Sequence, residues 1–170
     1  IRDRATSWLF SRPLPEANGM APITKIRVSH DDFDVSEEIS ALEREGRNAG
    51  AVVTFTGVVR SDDGVTAMHL EHYPEMTEKS LARIVEKARE RWDIEDAVVI
   101  HRVGELKAGD RIVLTVVTSA HRREAFEASE FIMDWLKTEA PFWKKEVTPQ
   151  GGRWVDARES DELAKNRWGE

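Results

Sequence analysis

The chain has 170 residues, no cysteine, and a formal charge of −7 from 25 Lys and Arg against 32 Asp and Glu. That length suits one domain with its own core, and the missing thiols exclude disulfides, thiolate metal sites and cysteine nucleophiles. An acidic balance is the wrong sign for a non-specific nucleic-acid binder, and no apolar run nears the roughly 18 residues of a membrane span, so neither partner is expected; a reducing, cytoplasmic setting fits.

Residues 1–21 show no periodicity and contain Pro13, Pro15 and Gly19. They read as a flexible N-terminal extension, with Met20 a candidate start and Trp8-Leu9-Phe10 too short for a signal-peptide core. Residues 23–29 alternate as a first strand. Asp34 and Glu37 have capping-box spacing, and Ile39 and Leu42 give the helix that follows an apolar stripe, ending near Gly46. Residues 51–59 are rich in β-branched side chains. The turn Ser61-Asp62-Asp63-Gly64 then leads to a strand over 65–73, so the pair reads as a hairpin.

Pro74 suits a helical first turn, and Met76, Leu81, Ile84, Val85, Ala88 and Trp92 follow at helical spacing. Strands are expected over 97–103 and 112–118, separated by a turn at Gly109-Asp110. A second long helix spans 122–140, with Phe126, Ser129, Met133, Leu136 and Ala140 on one face and Pro141 as its stop. Short strands near 143–148 and 153–156 complete an α+β domain with a mixed or mostly antiparallel sheet. The expected domain covers 22–158, and 159–170 forms a polar C-terminal tail with helical character.

The sharpest local feature is Ser119-Ala120-His121-Arg122-Arg123. A strand ends there and a helix begins, so free amides and two guanidinium groups can hold a phosphate or carboxylate. A capped helix with solvated arginines explains the same residues equally well. Lys137 lies roughly 20° round an ideal helix from Phe126, at about 100° per residue. It borders the apolar face, where a lysine either snorkels or, in a closed pocket, serves as a proton carrier or nucleophilic amine.

On a strand, Lys144 and Lys145 face opposite sides, and Glu146 shares the Lys144 face, where it can orient or neutralise that lysine. Arg60 and Arg158 are further anion-binding candidates. His101, inside an apolar strand, reads as a packed residue. The histidines show no ligand cluster, and the chain lacks a P-loop and a dinucleotide fingerprint. Neither a metal nor a cofactor is expected.

Several long stretches are more specific. VTFTGVVR at 53–60, LEHYPEMTEKSL at 70–81, IHRVGEL at 100–106, VTSAHRREAFEASEFIMDWLKTEAPFWKKE at 117–146 and RWVDARESD at 153–161 resemble the MoaE family, the large subunits of molybdopterin synthases. The resemblance implies an α/β hammerhead-type fold and a homodimer of large subunits within a heterotetramer. The other members would be small ubiquitin-like, MoaD-like sulfur-carrier subunits, each ending in a thiocarboxylate.

The implied activity is sulfur transfer from that thiocarboxylate to cyclic pyranopterin monophosphate (precursor Z), which makes the dithiolene of molybdopterin. By the same resemblance Lys137 and Lys144 correspond to the catalytic lysines. Arg60, His121, Arg122 and Arg158 correspond to substrate-binding residues, with Arg158 reaching the site across the dimer. The alternative is a non-catalytic scaffold on the same fold. The missing cysteines agree with the enzyme, because the reacting sulfur arrives on the partner.

Overall fold

The computed structural model describes residues 21–43, 48–156 and 158–169. The expected extension therefore lies, except for Ala21, outside the described residues, as does the expected helix end at Gly46. Two four-stranded sheets make up the β structure. The first contains β1 (Thr24–Ser29), β4 (Ala97–Arg102), β6 (Arg111–Ser119) and β2 (Ala51–Val58), in that order; β1 and β4 are parallel and the other pairs antiparallel. The second contains β5 (Gly104–Lys107), β3 (Ala67–His72), β7 (Phe142–Thr148) and β8 (Gly151–Val155), all antiparallel. The expected α+β class and mixed sheet are what is found.

The central strands β4 and β6 are buried on both faces, which is why they read as nearly continuous apolar runs. On one face Val99, Val113 and Val117 meet two long helices, α2 (Met76–Arg91) and α3 (Arg122–Glu139). On the other, Val98, Ile100, Leu114 and Val116 meet Phe33 and Leu42 around the short helix α1 (Val35–Ser40). Its N-cap is Asp34, whose Oδ1 accepts from the Glu37 amide at 3.0 Å. A third, smaller cluster of Val59, Met68, Leu70 and Leu106 lies on the inner face of the second sheet.

Three expectations need correction. The strand over 65–73 does not form a hairpin with β2: β2 pairs with β6, whereas β3 pairs with β5 and β7. Between β2 and β3 the chain buries Val59 and Val65 and passes through Asp63 at φ 55° and Gly64 at φ 74°. Thr66 then donates its amide to Val147 of the second sheet at 3.0 Å. A turn sequence between two strands does not oblige them to pair when the connection carries apolar anchors of its own.

Secondly, Phe126 is 62% exposed; the buried side of α3 is centred on Ala128, Phe131, Ile132 and Trp135. Thirdly, β5 escaped the strand pattern because it is only four residues long and holds a single large apolar residue, Leu106. The polar segment after Arg158 forms helix α4 (Glu159–Asn166), which packs back along α3.

Candidate active site

A cavity of about 580 Å3 is lined by the end of β2, the start of β6, the last turns of α3 and the inner face of the second sheet. That is an ordinary size for a small-molecule site. Lys137 reaches it from α3, on the stripe Met133, Leu136, Lys137 and Ala140, so the helix margin next to the core becomes the cavity wall. Gly57 lies opposite, where the β2–β6 register shifts. A Cβ on Gly57 would come within 2.8 Å of Val113 Cγ1, so the tight approach of the two strands at the cavity wall requires glycine there.

Lys144 and Lys145 face opposite sides of β7, as strand alternation demands. Lys144 lines the cavity, whereas Lys145 lies 5.7 Å over the Trp154 ring on the other side. Glu146 orients Lys144: its Oε1 stands 3.2 Å from Lys144 Nζ, and its Oε2 accepts from Arg153 at 3.0 Å. Burial raises the Glu146 carboxyl pKa, but the hydrogen bonds from Arg153 and Lys144 lower it by more, so the net shift is below the ordinary carboxylate range. The group stays an anion and divides its charge between two cations. Arg60, beside Asp62 at 3.1 Å, and Arg158, at the N-cap of α4, complete the basic lining.

This arrangement can bind an anion and move a proton. Lys137 and Arg60 are more than half exposed and free to turn toward a ligand, whereas Lys144 is held by Glu146. Among the described residues, no group of three His, Asp or Glu is placed to hold a metal.

The sequence matches the model of the MoaE protein family over residues 28–139. The chain belongs to the MoaE family. The molybdopterin synthase catalytic subunit of Ralstonia nicotianae is 60% identical over 147 residues, covering 85% of this chain and 84% of that one. The Escherichia coli protein of the same name is 59% identical over 148 residues, covering 85% and 98%. A solved structure, the molybdopterin biosynthesis MoaE protein from Burkholderia ambifaria, is 50% identical and superposes with a TM-score of 0.76, covering 87% of this chain and 99% of its own.

Of the six residues singled out in this MoaE chain, four line one cavity: Arg60, Lys137, Lys144 and Arg158. His121 and Arg122 do not. They sit exposed at the opposite end of α3, roughly 22 Å from Lys137 along the axis at about 1.5 Å per residue. Within one chain they cannot share its ligand.

Arg153 and Asp161 are among the charged lining residues that were not foreseen. Arg153 pairs across the β7–β8 hairpin with Glu146, and a signal for it existed. Thr148 opposite Gly151 leaves Pro149-Gln150 as a two-residue loop, and counting back from it puts Arg153 beside Glu146. Asp161, on α4, had no such local signal.

His101 also borders the cavity but is packed, 6% exposed, with its ring stacked on Phe142 at 3.9 Å. Burial is the main reason its pKa falls to about 4; the nearby His72 adds to the shift, and a hydrogen bond between Nδ1 and the Arg102 carbonyl opposes it. The ring is therefore neutral near pH 7. Its contribution to stability is complete above the ordinary histidine range near pH 6.5 and is lost as pH falls through about 4. Urea denaturation of the native chain and of His101→Phe checks this. Between about pH 7 and pH 4.5 the native chain should lose more stability than the variant, by about 2–3 kcal/mol. Equal losses would show that the histidine is not buried in its neutral form.

Proposed function

We propose that this chain works as the catalytic subunit of a molybdopterin synthase. Sulfur passes from the C-terminal thiocarboxylate of a small ubiquitin-like carrier subunit to cyclic pyranopterin monophosphate, in two successive transfers that form the dithiolene. The observation that carries this is the convergence of Lys137, Lys144, Arg60 and Arg158 on one cavity, in a chain whose relatives bear that name. The carrier's sulfur attacks the pterin side-chain carbons as the cyclic phosphate opens. Lys137 transfers a proton or transiently takes the carrier's acyl end. Lys144, already aligned by Glu146, stabilises the substrate anion, while Arg60 and Arg158 hold phosphate or carboxylate. The setting is the cytoplasm, and no helix among the described residues is long and apolar enough to cross a membrane.

His121 and Arg122 enter the site on this reading only from a second copy of the chain. The geometry of β2 supports that route. It is the edge strand of its sheet and exposes Val52, Phe55 and Val58, a combination that invites strand-to-strand association. The start of β2 lies beside the α3 N-terminus, since the Gly50 amide donates to Ser119, and its end lines the cavity. β2 spans about 24 Å at about 3.4 Å per residue. An antiparallel pairing of two β2 edges would therefore lay the His121-Arg122 corner of one copy against the cavity of the other.

The deciding experiment mixes the pure chain with thiocarboxylated carrier and the pterin precursor and detects the dithiolene. Absence of product with an intact carrier and a folded chain would refute the enzyme. In the same assay, Arg60→Ala and Arg122→Ala should each weaken pterin binding by roughly tenfold or more, the loss expected for a charge-assisted contact. Unchanged pterin affinity in both would remove the two arginines from the anion site.

A further inference from the structure

Both pocket lysines face a carboxylate, and the second carboxylate arrives on a helix fastened from its far end. Beyond the last turn of α4, the Trp168 ring meets Trp92 at 5.5 Å and Phe131 at 5.6 Å, both edge-on. Its Nε1 donates to Asp134 Oδ2 at 2.8 Å. Arg167 bridges Glu130 at 2.6 Å and Asp134 at 2.7 Å. Lys165 pairs with Glu139 and lies 4.8 Å over the Trp135 ring. Together these contacts hold α4 along α3 and leave its first turn at the cavity, where Asp161 Oδ1 stands 3.8 Å from Lys137 Nζ.

We propose that Asp161 is a positioning residue for Lys137, holding its amine at the cavity wall while the bound carrier and pterin react. This rests on the reading of Lys137 as the reacting lysine. The two lysine–carboxylate pairs are built differently. Glu146 is only 11% exposed, lies 3.2 Å from Lys144 and is bridged again by Arg153, so that pair is fixed. The Asp161–Lys137 pair is longer, and the lysine side chain is 52% exposed. Long, solvated ion pairs are weak and exchange readily. An amine that must align with a substrate and then release its contact suits the loose pair; one that only neutralises an anion suits the fixed pair.

The test measures steady-state sulfuration, with thiocarboxylated carrier and pterin precursor, for Asp161→Asn and Asp161→Glu beside the native chain and Lys137→Ala. For Asp161→Asn, kcat should fall roughly ten- to a hundredfold, the range that a misplaced reacting group costs. KM for carrier and pterin should stay within about twofold of native, as for an interaction used after binding. Asp161→Glu should recover most of the rate. Native kcat in Asp161→Asn beside an inactive Lys137→Ala overturns the role of Asp161 and leaves that of Lys137 standing. A rise in KM alone also overturns it, and so does an Asp161→Glu rate as low as that of Asp161→Asn. Native turnover by Lys137→Ala overturns both roles.

Discussion

Lys137→Ala should lower the rate of dithiolene formation by roughly 10²–10⁴-fold, the usual cost of removing a positioned proton carrier. The substitution is clean. The Lys137 side chain is 52% exposed and outside the apolar clusters, and its ion-pair partner Asp161 remains partly solvated. Fold and carrier binding should therefore survive, and the loss should appear in kcat. Single-turnover mixing of the variant with thiocarboxylated carrier and pterin is the appropriate measurement, with carrier affinity and thermal midpoint as controls. Lys137→Arg sharpens the result. It keeps the positive charge but cannot give up a proton near neutrality, so it should be nearly as slow. A rate close to native in Lys137→Arg would assign the lysine to charge stabilisation, and a native rate in Lys137→Ala would remove it from the reaction.

Phe131→Ala should destabilise the fold by about 3–5 kcal/mol, as expected for truncating a fully buried aromatic residue. Phe131 is 1% exposed and touches three tryptophans: Trp92 and Trp135, each at 5.3 Å, and Trp168 at 5.6 Å. Arg91 lies 5.1 Å over the same ring. The cavity left behind would sit between α2, α3 and the residues that fasten α4. Urea denaturation followed by tryptophan fluorescence reads the stability and the local environment together. A loss under about 1 kcal/mol would mean that the aromatic cluster collapses around the gap. The variant should also show slower sulfur transfer while still folded, because α4 carries Asp161 and Arg158 to the cavity.

Much of the local structure was legible in residue patterns. Asp34 and Glu37 marked the start of α1, Pro141 the stop of α3, and the stretches 97–103 and 112–118 marked the strands β4 and β6. Each signal depends on neighbours within a few positions, which side-chain periodicity and backbone chemistry control directly. Strand alternation likewise placed Lys144, not Lys145, with Glu146. Apart from β5, missed for its shortness, the failures share a cause. The β2–β3 hairpin, the exposure of Phe126 and the docking of α4 depend on which distant surface an element meets, and local turn or helix chemistry does not encode that choice.

The sequence by itself determined most of the elements, the resemblance to the MoaE family and the two pocket lysines, because periodicity, capping and long ordered motifs reside in the order of residues. Only the tertiary structure decided that Arg60, Lys137, Lys144 and Arg158 share one cavity while His121 and Arg122 stand at the far end of α3. It also decided that Arg153 and Asp161 join the four at that cavity. Charged groups act on one another through distances of a few ångströms, and residues far apart in the chain reach those distances only when packing of apolar surfaces brings their elements together.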